Sequence, residues 1–471
     1  MAHTHFTDFL LGMKDPNIEI SEEAQYEPYY RVQAFRFSHI HSSRCISHNF
    51  KHVMTLRGKL DNLPKACPHC GCLNQGSQDM IRHGHVHTAI LIGQYNFCPV
   101  YLKLTKKRYW CKHCHKTCVA RTKLVDAYAH ISNSVKFVIL EELSKIQSMS
   151  LIAKHLNFST HTVLRQLETF GNNFYPLPYQ LPQHLAIDEF RSVKSVDASM
   201  SCLLLDNATH RVVDVLEDRR QSSLRDYFLR FPLEERLKVQ TIIIDMNNAY
   251  ISFLQRIFPH AEFIIDRFHI VQLLHRALNR IRVRIMNKVH YTRQRDYTKL
   301  KRCWKLLLKA RDQLDFQSYN THRLFDGLIT EKGIVNYLLN IDEKLHLAYR
   351  LVQDMREAID SHSHREFEDV LLEGKKYVLP KELRTAWTTL ISYRDEIHNS
   401  LAYTLSNGPI EGTNNKIKNI KRSGFGYRNY GHFHCRILLC CDLFNQEKDP
   451  IRHIYYNEEY ANKKYNHLQI A

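Results

Sequence analysis

The sequence predicts a multidomain protein of mixed α and β structure, and three observations lead to that prediction. The 471 residues are enough for about three domains. Seven of the 13 cysteines lie within residues 67–118, and strand-like patterns there give way to helical ones near residue 134. Gly and Pro are scarce, at 15 and 13 residues, which favours long helices over an all-β design.

The net charge indicates the class of partner. Lys and Arg total 66 against 48 Asp and Glu, a formal excess of +18. Such an excess is typical of proteins that bind nucleic acid, and an anionic membrane surface is the alternative. No run approaches 18 apolar residues, and the first residues lack the layout of a signal peptide. The sequence therefore favours nucleic acid and predicts no contact with a membrane.

The first recognisable element is a predicted metal-binding domain over 61–125, after an N-terminal segment at 1–60. Cys67-Pro-His-Cys70 and Cys111-Lys-His-Cys114 each offer two thiolates from one tight turn, as in structural Zn²⁺ sites. The 40 residues between them exceed the usual spacing, but 87–110 has strand-like runs that can form a hairpin and join the two turns. The alternative ligands are His69, His113 and His115; Cys72, Cys98 and Cys118 are expected in the core.

A helical region follows over 130–175. SVKFVILEELSKI predicts one amphipathic helix, and SLIAKHL and THTVLRQLETF predict two more, joined by a turn at 157–159. Two short helices joined in this way describe a helix-turn-helix, and an ordinary helical hairpin is an equal alternative. In a helix-turn-helix, the residues placed to contact base edges and phosphates are Thr160, His161, Thr162 and Arg165.

An α/β pattern occupies 182–268. HLAIDEF, SCLLLD and RVVDVLE predict three strands of a meander, followed by helix SSLRDYFLRF, buried strand VQTIIID, helix NNAYISFLQRIF and strand AEFIID. Asp188 and Asp245 stand at the ends of the first and the buried strand, and Glu411 lies in the first turn of a helix begun by NGPIEG.

These three carboxylates predict a metal site. An acid at the end of an apolar strand is costly to bury alone, whereas three that converge can hold divalent cations. Two such cations activate a water or a 3′-hydroxyl and stabilise the leaving oxygen at phosphorus. The alternative for either aspartate, considered alone, is an ordinary exposed acid at the end of a strand.

The chain between Asp245 and Glu411 is predicted to contain an all-α insertion over 269–395. Its beginning is basic, with 13 Lys or Arg and one acid, Asp296, over 276–311. Arg276, Arg280 and Arg284 recur every fourth residue and share a helix face, which predicts a phosphate-binding surface. Trp304 is expected in the core, with stacking on a displaced base as the alternative.

Together these motifs resemble the DDE transposases of the bacterial ISL3 group of insertion sequences. The matching segments are IDEF (187–190), IIIDMNNAYISFLQRIFPHAEFIIDRFHIVQ (242–272) and SNGPIEGTNNKIKNIKRSGFGYRNYGHFHCRILL (406–439). The cysteine turns and the helical pair fall where that family has its zinc-binding and DNA-binding regions. The resemblance spans residues 65–440.

The resemblance implies the fold and the site. It implies a zinc ribbon, a helix-turn-helix and an RNase H-like α/β catalytic domain, whose parts at 182–268 and 396–445 are separated by the all-α insertion, with a tail at 446–471. It implies a triad of Asp188, Asp245 and Glu411 that holds two Mg²⁺ or Mn²⁺ ions, and a structural Zn²⁺ on Cys67, Cys70, Cys111 and Cys114. Residues expected to support the triad are Glu189, Asp266 and His269; further DNA contacts are expected at Asn415, Lys418 and Arg422.

The implied function is that of an insertion-sequence DNA transposase. Such an enzyme binds terminal inverted repeats, cuts a strand and directs the 3′-hydroxyl at target DNA. The implied partners are double-stranded DNA and a second copy of the chain, and the implied location is the bacterial cytoplasm, at the nucleoid. Two alternatives remain open at this stage: a DNA-binding regulator with a vestigial catalytic fold, and a metal-dependent nuclease without strand transfer.

Overall fold

The computed structural model describes residues 15–20, 24–36, 52–173, 180–197 and 199–441. The predicted tail at 446–471 and much of the predicted segment at 1–60 lie outside these ranges. The described chain divides into two compact units. The first takes the residues up to 173 and again from 419, and the second takes 180–418.

The first unit begins with a β-sheet and continues into helices. Its elements are β1 (Ile18–Ile20), β2 (Gln25–Pro28), α1 (Tyr29–Arg36), β3 (His52–Leu60), β4 (Met80–Tyr95), β5 (Cys98–Cys111), β6 (Thr117–Val119), α2 (Asn133–Ser144), α3 (Met149–Leu156) and α4 (Thr160–Asn173). β4 and β5 form a long antiparallel hairpin, β3 runs parallel to β5, and β1 and β2 pair with β3. The strands predicted over 87–110 are present, and the hairpin is longer than predicted.

The second unit contains a mixed sheet and many helices. Its elements are β7 (His184–Arg191), β8 (Met200–Asp206), β9 (Val212–Leu216), α5 (Gln221–Phe228), α6 (Leu233–Leu237), β10 (Thr241–Ile244), α7 (Asn248–Ile257), β11 (Glu262–Ile265), α8 (Arg267–Lys288), α9 (Gln294–Arg302), α10 (Trp304–Leu308), β12 (Asn320–Thr321), β13 (Leu328–Ile329), α11 (Glu331–Leu339), α12 (Glu343–Asp360), α13 (His364–Lys375), α14 (Lys381–Ser392) and α15 (Arg394–Ala402). Helix α16 (Gly408–Ser423) runs from the second unit into the first, where α17 (Tyr430–Cys440) ends the described chain.

The sheet of the second unit has the strand order β11-β10-β7-β8-β9. β7, β10 and β11 are parallel, whereas β8 and β9 continue antiparallel from β7. Strands such as Thr241–Ile244 are buried along their whole length, as expected for a sheet covered on both faces. One prediction about this sheet was wrong: Asp188 lies inside β7 and not at its end, because the pairing with β8 continues to Arg191.

The insertion is mostly helical, and its apolar core is continuous with that of the sheet. Buried Leu274, Leu278 and Ile281 on α8 belong to the same cluster as Ile242 on β10 and Leu345 on α12. The prediction of an all-α insertion needs a correction, since β12 and β13 form a short hairpin. Gly327, in the loop between these two strands, has a φ of 82°. Glycine adopts this left-handed conformation readily, whereas a residue with a Cβ would be strained there.

The helices of the first unit are capped as their sequence suggests. The hydroxyls of Ser132 and Ser148 accept hydrogen bonds from the N–H groups of Val135 and Leu151 at the start of α2 and α3. α3 ends at Asn157, which adopts the left-handed conformation common at helix ends. The three predicted helices are therefore present, with the turn where it was expected.

Helix α17 completes the core of these three helices. Leu439 belongs to the buried cluster that includes Ile139 on α2 and Leu167 on α4. The prediction assigned 396–445 to the catalytic domain, but residues from 419 onward lie in the first unit. The apolar face of α17 explains this placement, because it packs against α2 and α4.

A buried arginine ties α17 to the loop between α2 and α3. Arg436 has no exposed surface, and its guanidinium donates to the carbonyl oxygens of Lys145 at 2.9 Å and Gln147 at 2.6 Å, and also to that of Leu143. These carbonyls follow or end α2, where the helix itself provides no donor. One side chain from a distant part of the chain therefore satisfies them.

Among the residues of the described ranges, no helix is both long and apolar enough to cross a bilayer.

Arg436→Leu should destabilise the first unit by about 3 kcal/mol, because it leaves several buried carbonyl groups without a donor. Urea denaturation followed by circular dichroism would measure this loss. Arg422→Leu, at an exposed position of α16, is the matched control and should change stability little. Equal stability of the two variants would contradict the role assigned to Arg436.

Candidate functional site

Three aspartates lie in one row across the parallel strands of the second unit. Ile243 pairs with Ala186 on β7, and Ile244 pairs with Ile265 on β11. Asp245 follows Ile244 as Asp266 follows Ile265, and it comes two residues after Ile243 as Asp188 comes two residues after Ala186. Asp245 and Asp266 directly follow β10 and β11, whereas Asp188 lies inside β7, whose pairing with β8 continues beyond it. These three residues, called the carboxylate row below, lie near the carboxyl-end edge of the parallel strands, the edge at which such sheets bind ligands.

Asp188 is the member of the row whose titration is most affected. Burial and, to a lesser extent, the negative charge of Asp245 raise the pKa of Asp188 to about 6. The N–H of Glu189 and the side-chain amide of Asn414, whose Nδ2 lies 2.5 Å from Oδ2 of Asp188, oppose this shift by donating to the carboxylate. The site thus disfavours a second uncompensated negative charge, as a site for cations does.

Asp245 is held by two donors. His269 Nε2 lies 3.0 Å from Oδ1 of Asp245, and Nδ2 of Asn407 donates to the same oxygen at 3.3 Å. The hydrogen bond to Asp245 raises the pKa of His269 above its ordinary value. His269, expected as a supporting residue, therefore contacts a predicted catalytic acid.

Asp266 closes the row at the start of α8. Burial raises the pKa of Asp266, and the N–H of Asn407 donates to its Oδ1 at 3.4 Å. Asn407 thus contacts two members of the row, one through its side chain and one through its main chain. The sequence suggested only that Asn407 begins a helix, so this role was missed.

Glu411 is placed by the helix that these amides hold. Asn407, just before α16, and Asn414 within it donate to Asp245 and Asp188, and Glu411 lies between them at helical spacing. Its side chain is exposed. Within the described ranges, the ligand atoms of Asp188, Asp245 and Glu411 do not form a group lying mutually within 4.8 Å. The helix that carries Glu411 is therefore held at the same edge of the sheet as Asp188 and Asp245. The three carboxylates do not form a compact cluster there.

A cleft of about 220 Å³ opens beside the row. Its walls include Asp188, Asp245, Glu189, Arg219 and Tyr250. Arg219 forms an ion pair with Glu189, and the hydroxyl of Tyr250 donates to the carbonyl oxygen of Arg219 at 2.5 Å. The acids thus face a space large enough for ions and part of a substrate. Arg219 lies outside the motifs that predicted the acids. Tyr250 lies within the matching segment 242–272, but nothing in the sequence singled it out as part of the site.

The predicted cysteine cluster is present in the first unit. The sulfurs of Cys67, Cys70, Cys111 and Cys114 all lie within 4.8 Å of one another, with 3.6 Å from Cys67 to Cys114 and 3.8 Å from Cys70 to Cys111. A tetrahedron with Zn–S distances of about 2.3 Å requires sulfurs about 3.8 Å apart. The spacing therefore fits zinc, and the β4–β5 hairpin brings the two turns together as predicted.

The electrostatics of Cys67 also suit a metal ligand. Burial opposes its ionisation, but the N–H groups of His69 and Cys70 donate to the sulfur and lower the pKa of Cys67 to about 6. The thiolate is the form that binds metals. A favourable site for an anionic sulfur therefore exists in the turn itself.

The other nearby candidates do not join this cluster. Nε2 of His69 lies 3.2 Å from the carbonyl oxygen of Thr117, His113 contacts Asp79, and the ring of His115 packs beside Trp110. Cys118 is buried as expected. Cys72 and Cys98 are partly exposed, so their expected placement in the core was wrong.

The residues predicted to contact DNA on α4 are accessible. Thr160, His161 and Arg165 are exposed, and Thr162 is half-buried. The N–H of Thr162 donates to the hydroxyl of Ser159 at 3.2 Å, which caps the helix. Asn415, Lys418 and Arg422 are likewise exposed on α16.

The basic face of α8 is present but partly compensated. Arg276, Arg280 and Arg284 are exposed, and Arg284 lies 3.3 Å from Glu382. Other basic residues of the region have internal partners: Arg282 donates to the carbonyl oxygen of Leu300, and Arg311 pairs with Asp354. Acids on helices distant in sequence thus neutralise part of the excess positive charge of residues 276–311. Trp304 is half-buried.

Cys67→Ser should remove bound zinc and lower the melting temperature of the first unit, because three thiolates remain where four fit the ion. Metal analysis of the purified protein and thermal unfolding would measure both effects. Cys72→Ser is the matched control and should keep the full zinc content. Full zinc content in the Cys67→Ser variant would contradict the assignment.

Asp188→Asn should stabilise the metal-free protein at pH 7.5 and have less effect at pH 4. The folded pKa of about 6 lies above the ordinary 3.8, so the carboxylate lowers stability as pH rises through this range. Thermal unfolding in a chelator at both pH values would measure this, with the exposed Asp226→Asn as control. A pH-independent effect would contradict the burial of Asp188.

Comparison with known proteins identifies the family of this chain and several relatives. A family model described as transposase, of the ISL3 group with DDE chemistry, matches residues 185–437. The transposase for insertion sequence element IS1001 of Bordetella parapertussis is 26% identical over 343 residues, which are 72% of this chain and 80% of that protein. A protein of Lactococcus lactis described as an ATP-dependent protease is 31% identical over 140 residues, 26% of this chain and 44% of that protein.

A solved structure, the Drosophila P element transposase strand transfer complex, aligns with a TM-score of 0.32 and 11% identity, over 66% of this chain and 92% of that one. The family match covers more than half of the chain and contains the whole carboxylate row. On this basis, the chain belongs to the ISL3 group of DDE transposases.

Proposed function

We propose that the protein is an insertion-sequence transposase that cuts and joins DNA at the carboxylate row, with Asp188, Asp245 and Glu411 as its catalytic triad. The observation that carries this proposal is the register of the parallel strands, which aligns Asp188 with Asp245 and leaves α16 to bring Glu411 to the same edge. The strand order, with an antiparallel meander beside parallel strands, supports an RNase H-like catalytic domain.

The donor set fits hard divalent cations. Carboxylate oxygens are the ligands that Mg²⁺ and Mn²⁺ prefer, and the raised pKa of Asp188 indicates a site that lacks positive charge. Asp188, Asp245 and Glu411 would hold two such ions, with Glu189 and Asp266 beside them. When bound, the ions supply an activated nucleophile and stabilise the leaving oxygen.

The residues around the row orient these acids. Asn414 fixes one oxygen of Asp188, while Asn407 and His269 fix one oxygen of Asp245. In the first reaction, a water oxygen bonds to the scissile phosphorus and the 3′-oxygen leaves as a hydroxyl. In the second, that hydroxyl bonds to a target phosphorus and the target's own 3′-oxygen leaves. Neither step requires a covalent bond to the protein.

The first unit supports recognition of the element's ends. Helices α3 and α4 would form a helix-turn-helix, with Thr160, His161, Thr162 and Arg165 at the front of the recognition helix. The cysteine cluster would hold a structural Zn²⁺ in a ribbon-like domain beside it. Terminal inverted repeats are the DNA expected there, and two paired ends call for a homodimer.

The exposed arginines of α8 and the polar face of α16 would contact DNA near the cut. Arg276 and Arg280 offer positive charge for the phosphate backbone, and Arg284 shares its charge with Glu382. The helix that carries Glu411 also presents Asn415, Lys418 and Arg422. We propose both surfaces as non-specific phosphate contacts.

Asp188→Asn and Glu411→Gln should each lower Mg²⁺-dependent cleavage of terminal repeats by at least about a hundredfold, because each removes a charge that holds the ions. Both variants should bind the repeats with unchanged affinity. A gel assay with a labelled end and a plasmid target measures cleavage and joining together, with Asp226→Asn as control.

The same assay separates the alternatives. Joined product supports a transposase, whereas nicking without joining supports a nuclease. Binding without either reaction supports a regulator with a vestigial site. Undiminished cleavage by either triad variant would overturn the triad.

A further inference from the structure

We propose that the tip of the β4–β5 hairpin is a second DNA-reading element, in which Phe97 contacts bases beside helix α4. The tip is defined here as Tyr95, Asn96 and Phe97. This inference rests on the proposed role of α3 and α4 in binding DNA. No motif that predicted that role includes these three residues.

The side chain of Phe97 is exposed in a conformation that does not favour it. Phe97 is 85% exposed and has a φ of 61°, and Asn96 before it has a φ of 47°. A two-residue hairpin turn with φ positive at both positions prefers Asn followed by Gly, because a side chain at the second position is strained. The phenyl ring gains no burial in return. Neither turn formation nor core packing therefore explains a phenylalanine here.

The tip is joined to the turn that precedes α4. Nδ2 of Asn157 donates to the carbonyl oxygen of Phe97 at 3.4 Å, and Nε2 of Gln94 donates to that of His155 at 3.5 Å. Phe158, in the same turn, packs both on the helical core and on the cluster around Leu91 of β4. The hairpin tip and the start of α4 are thus held together by polar and apolar contacts.

This position lies at the DNA side of a helix-turn-helix. The N-terminal residues of the second helix enter the major groove, so the turn just before that helix lies close to the duplex. Phe97 is bonded to this turn, and its ring is exposed. A duplex bound by α4 is therefore the occupant that the exposed ring would meet.

The charges of the hairpin agree with this occupant. Residues 80–125 contain nine Lys or Arg and no Asp or Glu, but Arg82 and Lys107 pair with Asp61, and buried Lys103 pairs with Glu27, so only part of this charge is available to phosphates. The tip itself is uncharged from 83 to 102. Lys154 and His155 are exposed in the last turn of α3, and the carbonyl oxygen of His155 accepts from Gln94, next to the tip. An apolar ring near the basic end of α3 suits contact with thymine methyl groups or base faces, with the phosphates left to the side chains of Lys154 and His155.

The experiment measures binding to a labelled duplex of the element's terminal sequence at several salt concentrations. Phe97→Ala should weaken binding about tenfold, in the range found when an aromatic contact to a base is removed. The slope of affinity against salt should not change, since that slope counts phosphate contacts. Phe97→Tyr should restore most of the affinity. Tyr128→Ala is the matched control, because Tyr128 is another exposed aromatic residue with a positive φ, 64°, and lies on the loop before α2.

A second measurement protects the test against misfolding. Phe97→Gly removes the strain of the turn, so it should raise the melting temperature while it weakens DNA binding as much as Phe97→Ala. Loss of affinity in a more stable variant cannot come from unfolding. Stability and DNA affinity should change in opposite directions in this variant, because the strain at Phe97 is tolerated for the sake of DNA binding.

The outcomes separate this inference from the proposed function. Unchanged affinity in Phe97→Ala, together with weaker binding in Arg165→Ala, would overturn the role of the tip and leave the helix-turn-helix intact. A changed salt slope, or an equal loss in Tyr128→Ala, would also overturn it. Failure of the unmodified protein to prefer the terminal duplex would overturn the proposed function, and the inference with it.

Discussion

The proposed chemistry depends on the register of three parallel strands. Because β7, β10 and β11 pair without a shift, their register brings Asp188, which lies inside β7, to the same level of the sheet as Asp245 and Asp266, which follow β10 and β11. Carboxylates so close repel one another and resist burial, and the raised pKa of Asp188 expresses that cost. The surrounding amides and His269 reduce the cost only in part. An arrangement of this kind becomes favourable when cations bind, which is how a metal-dependent nuclease would use it.

Helix α16 links this edge to the rest of the molecule. Its beginning is fixed by hydrogen bonds from Asn407 and Asn414 to the carboxylate row, and its end belongs to the other compact unit. There α17 fills the core of α2 to α4, with Arg436 satisfying their loop. The polypeptide that carries Glu411 thus goes on directly to complete the unit proposed to bind DNA. Deleting the C-terminal helices would therefore affect both units.

Much of the site was predictable because its signals are local. The two C-x-x-C turns, the acids beside apolar strands and the helical pair with its turn each occupy a few consecutive residues. The structure contains each of them near the predicted place. The donors that hold the acids were harder to predict: Asn407 and Asn414 contact residues 141 to 226 positions away. An asparagine in a polar helix gives no sign of such a partner, and neither does Arg219 at the cleft.

The sequence by itself determined the class of protein, the order of its elements, and which acids and cysteines are candidate ligands. These follow from periodicity, spacing and family resemblance, which are properties of short segments. Only the tertiary structure decided which carboxylates stand side by side, how much of the basic excess at 276–311 is offset by acids on other helices, and where α17 packs. These depend on strand register and on contacts between distant segments, so the +18 charge of the chain shows its partner class but not the surface that partner meets.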